Sequence, residues 1–196
     1  MRRCGMLLPV ASLPSRYGIG AFSKEAYEFI DQLKEAGQQV WQILPLGPTS
    51  FGDSPYQAFS AFAGNPYFID LEALIQEGLL TKEECDRADF GNNPAYIDYS
   101  KLYENRFSLL KIAYERWKSV SFAGTPQESR LEAVHGKAGE LLRRETREYC
   151  FYMALKDHFQ SRSWDLWDEE IRIRRPEALA RYGQLLSDEI GFCEFQ

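Results

Sequence analysis

Two short apolar runs, each stopped by a proline and separated by one amphipathic stretch, constrain this chain more than any other feature. Met6-Leu7-Leu8 follows Gly5 and ends at Pro9, and Val40-Trp41-Gln42-Ile43-Leu44 ends at Pro45. Continuous apolar runs of this length suit strands buried on both faces, as in a parallel sheet. Between them Ala26, Phe29, Ile30 and Leu33 recur on one helical face. Ser23 stands where an N-cap belongs and Gly37 where a C′ residue belongs. Strand, helix and strand with short links make a βαβ unit, which implies parallel strands and a right-handed crossover.

Each strand candidate runs into a punctuated loop. The first, Pro9 to Gly20, holds Pro14, Ser15 and Gly18. The second, Pro45 to Pro66, holds Gly47, Pro48, Gly52, Pro55 and Gly64, together with the aromatics Phe51, Tyr56, Phe59 and Phe62. A loop this long is either functional or disordered, and its aromatic content argues against disorder. In parallel α/β folds, the loops after strand C-termini carry the active site.

The remainder reads as mostly helical. Short helices are expected over 71–77 and 81–87 around Gly78, the second opened by a Thr81–Glu84 capping box. A long helix is expected from about Tyr103, with Phe107, Leu110, Tyr114 and Trp117 on one face, and a break over Ser121 to Pro126. A second long helix covers roughly Gln127 to Phe159, with Gly136 and Gly139 as weak points. Ser161 to Arg175 reads as a connection, and Pro176 opens a last helix carrying Leu179, Tyr182, Leu186 and Ile190.

Charge and cysteine usage exclude several function classes. The formal net charge is −6, so the chain lacks the basic footprint that nucleic acid requires. The four cysteines, Cys4, Cys85, Cys150 and Cys193, are widely spaced and form no CxxC. That pattern argues against structural zinc and fits reduced cytosolic thiols better than a disulfide framework. No run approaches the roughly 20 apolar residues of a membrane span, and the Met6–Val10 patch is too short for a secretory signal. A cytoplasmic protein without metal or cofactor is expected. The Tyr17-Gly18-Ile19-Gly20 stretch has the wrong glycine spacing for a dinucleotide loop.

In order along the chain come Met6-Leu7-Leu8-Pro9, Ser12-Leu13-Pro14-Ser15 and Tyr17-Gly18-Ile19-Gly20. Then follow Trp41-Gln42-Ile43-Leu44-Pro45-Leu46-Gly47-Pro48-Thr49, Gly52-Asp53-Ser54-Pro55-Tyr56-Gln57 and Phe59-Ser60-Ala61-Phe62-Ala63-Gly64-Asn65-Pro66-Tyr67. This series resembles the N-terminal signature of the amylomaltases, the 4-alpha-glucanotransferases of glycoside hydrolase family 77. The likeness is dense over residues 5–75 and continues more sparsely through Tyr149–Asp157 to Glu189-Ile190-Gly191-Phe192. The resemblance implies a (β/α)8 TIM barrel of which this chain supplies the first βαβ unit. Residues 1–70 would start the barrel, 71–176 would form a mainly helical inserted subdomain, and 177–196 would lead back to the barrel. It implies transfer of α-1,4-glucan segments between maltooligosaccharides with retention. The two catalytic carboxylates would lie on later strands, in the missing C-terminal barrel half, so none is assigned here and the 196-residue chain alone is expected to be inactive.

Within the second loop the resemblance singles out Tyr56 and Phe51 for stacking on glucose rings, Phe51 standing where many relatives have tyrosine. An aromatic face matches the apolar C–H face of a pyranose; the competing reading is that both rings pack the loop. Ser54, Gln57 and Asn65 could hydrogen-bond sugar hydroxyls or simply cap turns, and Asn65 before Pro66 is a typical turn residue. Asp53 is expected to bond within its own tight loop. Trp41 reads as core, Trp164 and Trp167 as anchors of the long connection, and His135 and His158 as ordinary helical residues. Two other function classes compete: a non-catalytic glucan-binding module using the aromatic loop alone, and a helical interaction protein.

Overall fold

The computed structural model describes residues 2–49, 53–58, 60–93, 95–122 and 136–196. At the N-terminus the expected strand, helix and strand are present, with the second strand ending at Gln42, two residues shorter than its apolar run. β1 is Gly5–Leu7 and β2 is Val40–Gln42, paired parallel with Gly5 opposite Val40 and Leu7 opposite Gln42. Leu8 N–H extends the pairing to the Gln42 carbonyl at 3.0 Å. Pro9 then has no N–H to offer, so the ladder stops. Between the strands lies α1, Lys24–Glu35. It ends in a Schellman turn: Gly37 takes φ +71°, its N–H donates to the Lys34 carbonyl, and Gln38 N–H donates to Leu33.

Two details differ from expectation. Ser23 occupies the N-cap position, but its hydroxyl bonds the Glu25 carboxylate and caps no backbone N–H. The hydroxyl proton goes to a charged acceptor, the stronger kind of hydrogen bond. The strands are also exposed, with Met6, Leu7 and Val40 all open to solvent. Among the described residues the sheet has two strands only, too few to cover both of its own faces.

One apolar cluster sits beneath both strand-following loops. Val10, Leu13 and Ala26 are buried at its centre, with Phe29, Trp41, Ile43, Leu46 and Phe68 packed around them. The Phe29 and Trp41 rings meet edge to face, 5.1 Å between centroids. Trp41 Nε1 donates to the Leu8 carbonyl at 2.8 Å, so the indole fills the core with its one donor satisfied. The reading of Trp41 as core holds.

Three helices complete this first compact unit, Met1–Thr125. α2 is Leu71–Gln76, capped by Asp70, whose Oδ1 accepts from Glu72 N–H at 3.0 Å. α3 is Lys82–Arg87, with the expected capping box between Thr81 and Glu84. α4 is Tyr99–Phe122 and begins four residues earlier than the apolar spacing suggested. Asp98 explains the early start: its Oδ1 accepts from Lys101 N–H at 3.2 Å, as a cap does. Leu102, Leu110 and Ala113 on α4 are fully buried.

The second unit, Pro126–Gln196, is built of helices and short connections in its described part, with no strand there. α5 is Gly136–His158, α6 Glu169–Arg172, α7 Pro176–Leu185 and α8 Ser187–Phe195. The break expected from Ser121 does not begin there, since α4 runs to Phe122, and the rest of it, the start of the second long helix and His135 fall in residues 123–135, outside the described residues. Its core gathers Leu155, Trp167, Ile171, Ala178, Tyr182 and Leu186. Trp167 is anchored as expected, its Nε1 donating to the Arg162 carbonyl at 3.1 Å, whereas Trp164 stays 57% exposed. His158 lies edge-on to Phe159 and Tyr182.

Two expectations fail here. The single helix expected from Pro176 through Ile190 divides at Leu186, where φ −105° and ψ 23° leave the helical region. No glycine or proline marks that break; Leu186 turns inward to fill the core. Cys150 and Cys193 form a disulfide between α5 and α8, with Cα atoms 5.3 Å apart, against the expectation of reduced thiols. Their separation of 43 residues carries no pattern, because helix packing alone brings them together. Cys4 and Cys85 are free. Among the described residues no helix is long and apolar enough to cross a membrane, and no cluster of His, Cys, Asp and Glu could hold a metal ion.

The α3 cap carries a pH signature. Arg116 grips Glu84 through two bonds of 2.6 and 2.7 Å, and the Thr81 N–H adds a third of 2.8 Å. The Arg116 bonds first, and the Thr81 N–H second, hold the Glu84 carboxyl down to about 2. A carboxyl depressed in the fold stabilises it above its ordinary value near 4.5 and loses that contribution as pH falls toward 2. Glu84→Gln should therefore flatten the loss of stability between those pH values in urea titrations, and Thr81→Ala should cost about 1 kcal/mol at neutral pH.

Candidate functional site

Because β1 and β2 run parallel, the loops that follow them leave from the same edge of the sheet. The first loop folds into a 3-10 turn, Val10–Ser12, and doubles back so that Gly20 N–H donates to the Ala11 carbonyl. A Cβ on Gly20 would lie 2.1 Å from the Val10 carbonyl oxygen, so only glycine fits this closure. Arg16 reaches Asp86 at 2.9–3.0 Å, and Tyr17 lies edge-on to Phe90 at 6.0 Å. The loop is thereby tied to the helical layer.

The second loop is held at its two ends and open at its tip. At the base, Asn65 N–H donates to the Leu46 carbonyl at 2.9 Å. A second 3-10 turn, Pro66–Phe68, follows, and the Asn65 Oδ1 accepts from Tyr67 N–H at 3.0 Å. Asn65 is buried, and this bond engages its side-chain oxygen in the cap. The turn is linked to the first loop by Phe22 N–H donating to the Phe68 carbonyl. Gly47 lies directly under the loop, where a Cβ would come within 2.7 Å of Ala58 Cβ.

At the tip, the Ser54 Oγ lies 3.4 Å from Tyr56 N–H, and Gln57 N–H donates to the Ser54 carbonyl at 3.1 Å. These two contacts form the turn that presents the Tyr56 ring, 73% exposed, to solvent. Gln57 is also exposed and Ser54 partly so. The structure thus groups Ser54, Tyr56 and Gln57 on one outward turn and places Asn65 in the base beneath. Phe51 lies outside the described residues.

An aromatic row that the sequence did not announce backs this loop. Tyr67 is buried, with Tyr99 at 5.9 Å and Phe107 at 5.8 Å, and Tyr103 lies 5.4 Å from Phe107. Tyr99, Tyr103 and Phe107 recur every four residues on α4, a spacing that could have been read as one aromatic stripe. Burial, then the nearby charge of Asp53, pushes the Tyr67 hydroxyl up to about 12. The same two causes raise Tyr99. Asp53 itself adopts φ +55° and has its carboxyl raised by burial. A ring platform, a hydroxyl and an amide on one exposed turn, with no metal cluster among the described residues, can bind a polyhydroxylated ligand.

The chain matches the 4-alpha-glucanotransferase profile of glycoside hydrolase family 77 over residues 8–196. It is similar to a 4-alpha-glucanotransferase of Clostridium butyricum, 41% identical over 95% of this chain and 36% of that protein. It is similar to that of Thermus thermophilus, 39% identical over 99% of this chain and 37% of that protein. Among solved structures it resembles amylomaltase from Streptococcus agalactiae in complex with acarbose, with a TM-score of 0.83 and 40% identity, covering 99% of this chain and 38% of that one. The chain therefore spans little more than a third of the length of these relatives.

The contrast between tip and base yields a stability test. Tyr56→Ala should leave the thermal midpoint unchanged, because the ring is solvent-exposed. Asn65→Ala should cost about 1–2 kcal/mol through the lost cap and the buried site. Thermal melts of the two variants side by side check both.

Proposed function

Because the chain belongs to the 4-alpha-glucanotransferases of glycoside hydrolase family 77, we propose that it acts as the N-terminal part of an enzyme that moves α-1,4-glucan segments between maltooligosaccharides with retention. The observation that carries this reading is the exposed Ser54–Tyr56–Gln57 turn at the C-terminal edge of a parallel strand pair. That is the edge from which barrel enzymes present substrate-binding groups. The Tyr56 ring offers a flat apolar face to a glucose unit, Ser54 and Gln57 offer hydrogen bonds to its hydroxyls, and Phe51 is assigned to the same surface by family resemblance. Asn65 contributes by holding the base of the loop.

In this reading residues 1–70 open a (β/α)8 barrel, 71–176 form a helical insertion and 177–196 lead back toward the barrel. The exposed Met6, Leu7 and Val40 support it, since strands in a closed barrel are covered on both faces. Retaining transfer requires two carboxyl groups about 5–5.5 Å apart, and no residue of this chain is assigned to either role. A polypeptide of these 196 residues by itself is expected to show no transfer, because two strands cannot close a barrel.

The full-length enzyme carrying this chain, incubated with maltotriose, should release glucose and build longer α-1,4-linked products, read by chromatography and by NMR of the new linkages. Tyr56→Ala should raise KM about tenfold or more with a smaller change in kcat, since stacking on a bound sugar is largely uniform binding. Products of inverted configuration, or glucan binding without any transfer, would overturn the transferase assignment; binding alone would point to a carbohydrate-binding module.

A further inference from the structure

Among the described residues of the first unit, Arg106 is the one charged side chain that is buried. It lies on α4 and is 1% exposed. Its Nη2 donates to the Ile69 carbonyl. Its Nε and Nη1, both buried, have no hydrogen-bond partner among the described residues. Asp70 is near enough to act on its charge, but the Asp70 Oδ1 already accepts from Glu72 N–H as the cap of α2. A cavity of about 20 Å³ adjoins the guanidinium, lined in part by Ser15, Tyr17, Asp70 and Glu72. That space admits one water molecule and nothing larger, so this is not a second ligand site.

A buried guanidinium with two nitrogens that lack a protein partner carries a desolvation cost, which offsets much of what its single bond contributes to stability. What Arg106 does accomplish is specific. Ile69 directly follows the Pro66–Phe68 turn, and its own N–H donates back to the Pro66 carbonyl. Fixing the Ile69 carbonyl therefore fixes the turn that Asn65 caps, and Asn65 in turn holds Leu46 at the other end of the loop. Building on the glucanotransferase reading, we propose that Arg106 is a positioning residue. It anchors the base of the Ser54–Tyr56–Gln57 loop from α4 and so sets substrate affinity without touching substrate.

The test uses the full-length enzyme with maltotriose as substrate. Arg106→Met should raise KM about tenfold while kcat stays within about threefold, the signature of lost uniform binding. Its melting temperature should stay within about 3 °C of the unsubstituted enzyme or exceed it. Arg106→Lys, which restores one cationic donor, should bring KM back to about threefold above the starting value. Leu155→Ala, a core truncation in the second unit, provides a destabilised control whose KM should not move. An unchanged KM in Arg106→Met, or an equal rise in Leu155→Ala, overturns the proposal. If Arg106→Met does not fold, Arg106→Lys decides: an intermediate KM supports the role and an unchanged one refutes it. If the unsubstituted enzyme transfers no glucan, the functional reading fails separately. Amide exchange over residues 65–69 then reads the role of Arg106: faster exchange in the variants upholds it, and unchanged exchange overturns it.

Discussion

The parallel pairing of β1 with β2, locked by the Trp41 indole on the Leu8 carbonyl, is the contact on which the rest of the first unit depends. It puts the exits of both strands side by side. Everything that could meet a ligand, from the first-loop turn to the exposed Tyr56, follows from that adjacency. The indole bond matters because Leu8 is where the ladder ends: Pro9 cannot continue it. One side chain from β2 thus fixes the point at which the first loop departs, and the same ring, packed on Phe29, ties that point to α1.

Around this pivot the residues divide by what they face. Asn65, Tyr67, Gly20 and Gly47 face inward and shape the loops through backbone bonds and close contact. Ser54, Tyr56 and Gln57 face outward and are held in the turn by two local contacts. Burial raises the Asp53 carboxyl, and burial together with the Asp53 charge raises the Tyr67 and Tyr99 hydroxyls.

Much of this was legible in the sequence, and the reasons are local. Proline stops, the Gly37 turn and the Thr81–Glu84 box each act within a few residues, so spacing alone placed β1, α1, β2 and α3. Features set by distant packing were not legible. The break at Leu186 has no breaker residue, only a core to fill. The Cys150–Cys193 bond joins helices whose approach no spacing records. Ser23 looked like a cap, but its hydroxyl donates to the Glu25 carboxylate and takes no backbone N–H. In the loop, the short spacing of Ser54, Tyr56 and Gln57 puts them on one turn, while the burial of Asn65 and the anchoring by Arg106 depend on α4 and on the far stem of the loop.

The bond from Asn65 N–H to the Leu46 carbonyl has a consequence for how such a protein can diversify. It makes the intervening segment a cassette with a closed neck. Once the neck of a loop is closed, each doubling of its length adds only about 0.6 kcal/mol of chain entropy. Insertions or exchanges at the outward turn therefore leave the strand pair, the indole bond and the capped base undisturbed. Changes to the neck itself would move all of them at once. Evolution, or an engineer grafting a new tip, has a wide choice of sequence in the one place and almost none in the other.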